Sequence, residues 1–161
     1  NLQKLLRQGF PELKTTWVGN KGIYRTRMTV ADGGELLILA PGIRAFGENE
    51  EMDAMTRKYG YTGTPHILEL YRQGAFEGRL MSAAHLIQGS TEGRFTVTYA
   101  TKPDLMSQEE IESVGYQWAD YNEVSKRYDP EKLHDGWNIL PDGEEIYYVS
   151  TPALGLWKVD E

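Results

Sequence analysis

At 161 residues, with 40% apolar and 25% charged side chains, the chain has the size and make-up of one globular domain, which excludes a disordered or fibrous protein. Seventeen basic against twenty-four acidic residues leave a formal charge of −7, the wrong sign for a nucleic-acid binder, and no apolar run approaches the ~18 to 20 residues of a membrane span. The absence of cysteine excludes disulfides, thiolate metal sites and a cysteine nucleophile, and is compatible with a cytoplasmic location.

Taken in order, Leu2, Leu5 and Leu6 recur at helical spacing ahead of Gly9 and Pro11, which predicts a short amphipathic helix stopping there. Leu36-Leu37-Ile38-Leu39, unbroken between Gly33-Gly34 and Pro41-Gly42, predicts a strand covered on both faces in a parallel sheet. Met52, Met55 and Tyr59 share one helical face. Thr64-Pro65 reads as a cap with proline at the first helical position, and that helix ends near Gly74. A third helix, around Leu80, Met81, Ala84 and Ile87, stops at Gly89. Phe95, Val97 and Tyr99 alternate with threonines, as in a half-buried strand. Ser107 with Glu110, and Asp120 with Glu123, have capping-box spacing on either side of a short strand at 116–118. Ile146-Tyr147-Tyr148-Val149 is a last strand. Strands separated by helices predict a three-layer α/β domain over residues 1–161, with a mainly parallel sheet of about four strands flanked by helices. The chain starts at Asn1 with no basic-then-apolar leader, so the expectation is a piece of a longer protein.

Ligands of open α/β sheets collect where strands deliver their carboxyl ends, which makes the loop from Pro41 to Glu48 the first candidate. Arg44 there is either a carboxylate clamp or a solvated surface arginine. The second is the stretch Ser82–Arg94: His85 would titrate near neutral pH and Ser90, Glu92 and Arg94 would hydrogen-bond a polar ligand, unless His85 is a satisfied core histidine and the glycines only shape turns. Tyr24-Arg25-Thr26-Arg27 is the third, an aromatic with two arginines that is either a carboxylate site or an exposed turn. His66 and His134 have no second histidine at metal spacing, no Gly-x-Ser-x-Gly elbow exists, and the acidic pairs sit where caps and solvated helix faces want charge. A nicotinamide-dependent oxidoreductase lacks its Gly-x-Gly-x-x-Gly fingerprint.

Several of these stretches resemble a known family. Val30–Gly42, Phe46-Gly47-Glu48 through Lys58-Tyr59-Gly60-Tyr61-Thr62-Gly63-Thr64-Pro65, Ser82–Arg94, and Pro141-Asp142-Gly143 with Pro152–Trp157 together resemble the C-terminal domain of the nickel-dependent lactate racemase family, over about Gly22 to Lys158. Such enzymes have two domains and racemise or epimerise 2-hydroxy acids or sugar acids. The resemblance implies a nickel pincer nucleotide between the domains, tethered to a lysine and with its metal held by a histidine. One of two histidines takes the hydroxyl proton while hydride passes to the cofactor and returns on the other face. Lysine, nickel ligand and histidine pair belong to the N-terminal domain, so the resemblance implies no catalytic residue and no metal ligand in this chain. Its own N-terminal domain is then the implied partner. Tyr24 and Arg25 fall where the family contacts the cofactor; Met28 stands near a family lysine, for which Arg27 would substitute. Arg27, Arg44, His85 and Arg94 complete the expected contacts to a small-molecule 2-hydroxy or sugar acid. The alternative from another class is a non-catalytic binding or interaction module for an acidic metabolite or partner. A domain lacking its mate would expose an apolar face bearing Trp or Tyr; a free-standing module would have a closed polar surface.

Overall fold

Among the described residues, 2–9 and 12–151 of the computed structural model, six strands form one sheet: Leu2–Gln8 (β1), Val30–Leu39 (β2), Thr96–Thr101 (β3), Gln117–Asp120 (β4), Gly136–Ile139 (β5) and Glu145–Val149 (β6). Their order is β4-β3-β2-β1-β6-β5, and every neighbouring pair is parallel except β5 with β6. The sheet therefore winds outward from β1 through β4, then returns through the β5–β6 hairpin to the other flank of β1. The reversal of winding falls at β1, the place where open α/β sheets form their ligand crevice. Pro11 and the Pro152–Trp157 run lie outside the described residues.

The segment Leu2–Gln8, expected as a helix, is a central strand. Leu5 and Leu6 enter different cores, Leu5 with Leu36 and Val97 on one face and Leu6 with Leu37 and Ile146 on the other. Burial on both faces removes the period-two signal, and the charges at Lys4 and Arg7 break the apolar run that would otherwise have marked a parallel strand. Lys4 is absorbed by ion pairs at 3.1 Å to both Glu35 and Glu144 and by a 2.8 Å hydrogen bond to the Tyr128 hydroxyl. With β1 and the four-residue edge strand β5 added, the expected four strands become six.

Among the described residues seven helices flank the sheet: Thr16–Gly19 (α1), Lys21–Thr26 (α2), Glu50–Tyr59 (α3), Thr64–Arg72 (α4), Leu80–Gln88 (α5), Gln108–Ser113 (α6) and Tyr121–Arg127 (α7). Ile23 of α2, Ile67 of α4, Ala83 and Leu86 of α5 and Ile111 of α6 join the larger core with Ile38 and Tyr99. Val124 of α7 packs with Tyr128, Leu140 and Tyr148 in the smaller core on the opposite face. This second core explains why β3 is buried on both faces instead of half-buried. Its threonines satisfy themselves internally, Thr98 donating to Glu35 at 2.7 Å and Thr101 to the Met106 carbonyl at 2.7 Å. Caps follow the sequence at Ser107 with Glu110 and at Asp120, and Asn49 caps α3. For α4 the cap position is Gly63 and not Thr64, with proline still in the first turn.

Candidate functional site

Next in the chain after β1 come α1 and α2. The Thr15 hydroxyl accepts from the Val18 amide to start α1, and Thr15 also bonds to Glu48 of the loop after β2. Register places Val149, Arg7, Ile38 and Tyr99 in one row across β6, β1, β2 and β3, facing these helices. Arg7 is only 5% exposed, and its Nε and Nη1 are sealed from solvent with no hydrogen-bond partner. Loss of solvent holds its guanidinium down to about 10, with the charge of Arg25 acting in the same direction and Tyr99 opposing. Glycine at 22 is what admits it, since a Cβ there would lie 0.9 Å from Arg7 Nη1. Two residues further along α2, Tyr24 is 53% exposed, and Arg25 is half-buried.

A buried polar chain lies behind this edge. His85 stacks on Trp17 at 4.3 Å between centroids, and its Nε2 lies 2.7 Å from the Tyr61 hydroxyl, which is 3.0 Å from Thr16 Oγ1. Thr16 in turn donates to the Phe46 carbonyl at 3.1 Å. Each hydroxyl has one proton, so the neutral tautomer with hydrogen on Nε2 completes the chain from His85 through Tyr61 and Thr16 to the carbonyl. Burial without a carboxylate partner pushes the His85 imidazole down to about 4, which keeps it neutral. A second set joins it: Tyr99 donates to Asn20 Oδ1 at 2.6 Å, Asn20 Nδ2 donates to the Tyr116 hydroxyl at 3.0 Å, and Tyr116 donates to the Gly89 carbonyl at 2.7 Å. His85 is thus buried, with its Nε2 satisfied inside the chain.

At the amino edge of the sheet, arginines are committed to the backbone. Arg27 Nη2 donates to the carbonyls of Ile87 and Gln88 at 3.3 and 3.1 Å, capping the last turn of α5. Arg94 donates to Asp32 at 2.7 Å and to the carbonyls of Arg27 and Val30 at 3.0 and 3.1 Å, tying the start of β3 to the start of β2. Glu92, with φ of 54°, takes the Thr64 hydroxyl and so supplies α4 with the capping group that Gly63 lacks. Tyr24 and Arg25 share α2, and the Arg27 guanidinium lies over the Tyr24 ring at 6.0 Å from its centroid; Arg27 and Arg94 both bond backbone carbonyls at the amino edge, and His85 is buried.

Arg44, in the loop after β2, is exposed, and its amide donates to the Lys14 carbonyl at 2.9 Å. A cleft of about 790 Å³ opens at the same edge between the start of α3 and the segment from Tyr71 to Ser82. Tyr71, Leu80 and Met81 line it and are exposed, and Val18 of α1 and Tyr24 of α2 are exposed as well. Among the described residues no group of three His, Asp or Glu side chains is placed to hold a metal ion, and no helix is long and apolar enough to cross a membrane. Sequence reasoning missed Arg7 by giving it to a helix; Gly22, a glycine early in a helix, was the available signal.

This architecture defines the class: a doubly wound α/β fold with an unsatisfied cation at its winding reversal. No family model matches the sequence, and no curated protein matches it. The fold has solved counterparts. A structural-genomics crystal structure of a Thermotoga maritima protein superposes with a TM-score of 0.66 at 22% identity, covering 92% of this chain and 34% of that one. The lactate racemase apoprotein of Thermoanaerobacterium thermosaccharolyticum superposes with a TM-score of 0.53 at 14% identity, covering 92% of this chain and 33% of that one. The chain thus has a lactate-racemase-like fold and spans about a third of the length of either protein.

Proposed function

We propose that this chain is the C-terminal α/β domain of a lactate-racemase-like enzyme that racemises or epimerises a 2-hydroxy or sugar acid. The observation that carries the reading is the fold likeness to the lactate racemase apoprotein across 92% of the chain. The exposed apolar side chains Tyr71, Leu80 and Met81 that line the cleft support it, because another domain covers groups of this kind. That domain would be the protein's own N-terminal domain. When bound, a nickel pincer nucleotide supplies a hydride acceptor for the hydroxy carbon. In this reading the nickel would be held by the other domain. This chain's share would be the organic part: the exposed Tyr24 ring to pack against it, and the Arg25 guanidinium to counter its negative charge or the substrate carboxylate. Packing a second domain over α2 would also exclude water from that contact.

The test is nickel content by mass spectrometry of the protein expressed from its full gene with cofactor-maturation proteins, together with a panel of chiral 2-hydroxy and sugar acids. Stoichiometric nickel with inversion of one panel member is the expected result. No nickel and no inversion in properly matured protein would refute the reading. A second reading, a non-catalytic module for an acidic metabolite or partner, is favoured by the exposed Arg44 beside the sheet's carboxyl edge. Nickel-free protein that still binds carboxylates at Arg44 would support it.

A further inference from the structure

The positive charge of Arg7 has no counterpart inside the described protein. An arginine that loses water normally recovers the loss through a carboxylate or a set of carbonyls, as Arg94 does with Asp32 and two carbonyls. Two of the three Arg7 nitrogens, Nε and Nη1, are sealed and unpaired. Nearby Arg25 adds a second positive charge that acts against that of Arg7. An apolar side chain of similar volume would fill the same space under α2 without this penalty.

The position of the group is equally specific. It stands on the last full turn of pleat before β1 ends, in the row between Val149 and Ile38, at the strand where the winding of the sheet reverses. The chain adapts itself to the guanidinium, with Gly22 allowing the α2 backbone to lie flush against it. With Nε and Nη1 sealed, Nη2 is the remaining nitrogen of the fork for an incoming oxygen.

We infer that Arg7 anchors an oxyanion, a carboxylate or a phosphate group, that a ligand brings to the carboxyl end of β1. The ligand supplies the negative charge that the protein omits, and Gly22 and Arg25 complete the surroundings. This inference requires only the sheet and Arg7. It holds for a binding module as well as for an enzyme, so it stands or falls apart from the racemase reading.

The test follows the Arg7 Nε–H resonance of the labelled wild-type chain by NMR during separate titrations with malonate and with inorganic phosphate, and repeats both on Arg7→Met and Arg7→Lys. A saturable shift of that resonance and of the Gly22 and Ile23 amides is expected with at least one anion. Response to malonate alone assigns a carboxylate ligand, response to phosphate alone a phosphorylated one, and response to both a general oxyanion site. Arg7→Met should weaken the binding at least roughly tenfold, and Arg7→Lys should retain part of it as a point charge without the fork. An Arg7 resonance unmoved by either anion at tens of millimolar overturns the inference. So does a folded Arg7→Met variant that binds as tightly as wild type. Because the primary signal is read in the wild-type chain, failure of a variant to fold leaves the decision intact.

Discussion

At the amino edge of the sheet Arg94 places three of its donors on Asp32 and two carbonyls, and Arg27 caps the end of α5. At the carboxyl edge Arg7 is more deeply buried and yet leaves two nitrogens without acceptors. The same residue type thus serves two purposes in one layer of the fold. Where bonds close inside the chain, arginine is a tie between elements, and its removal loosens the domain. Arg27 also leaves its buried Nε open, but its Nη2 closes two carbonyl bonds; at Arg7 no such bond offsets the penalty, which fits a group that binds from outside.

The most severe expected effect concerns the polar chain between the two edges. The folded-state value of His85 is about 4, below its ordinary 6.5, so the unfolded chain binds the proton first as pH falls. Stability is full above about 6.5 and is lost on acidification between roughly 6.5 and 4, by roughly 3 kcal/mol. Urea unfolding at a series of pH values should show this slope, and His85→Gln should flatten it. An unchanged slope in that variant would move the titration to another group. Next in size, Arg94→Met should destabilise the chain by about 2 kcal/mol through its lost bonds at the start of β2 and β3. Arg27→Met should cost about 1 kcal/mol, since it loses the cap on α5 but also removes a buried unsatisfied Nε. Arg44→Ala, at the exposed loop of the carboxyl edge, should stay within about 0.5 kcal/mol of wild type in the same measurement. A large loss at Arg44 would break the contrast between the edges.

The contrast was only partly legible in the sequence. Elements with strong local signals stand where capping and periodicity put them: α5 with its Gly89 stop, α6 with its reciprocal Ser107–Glu110 box, and β2 with its four-residue apolar run. β1 escaped because a strand buried on both faces has no alternation, and because Lys4 and Arg7 interrupt it for reasons that lie far along the chain, at Glu35 and Glu144 for the first. β5 escaped because four residues at a sheet edge carry little pattern. Among the candidate ligand residues, Tyr24 and Arg25 kept an accessible place on α2. The stretch from His85 to Arg94 drew notice through its density of polar and glycine residues, and the same density serves internal closure: His85 to Tyr61, Glu92 to Thr64, Arg94 to Asp32. No local pattern distinguishes a polar group meant for a ligand from one meant for a distant carbonyl. Only the tertiary partners do.

One pairwise measurement addresses the account directly: urea unfolding of Arg7→Met and Arg94→Met, side by side with wild type and without added anion. Arg94→Met should lose about 2 kcal/mol, while Arg7→Met should be unchanged or more stable by about 1 kcal/mol, because a methionine fills the space under Gly22 without a buried unpaired charge. Opposite or clearly unequal outcomes of that kind are the predicted result. Equal destabilisation by the two substitutions would mean that Arg7 is an internal tie like Arg94, and would contradict the division of the sheet into a closed edge and a ligand edge.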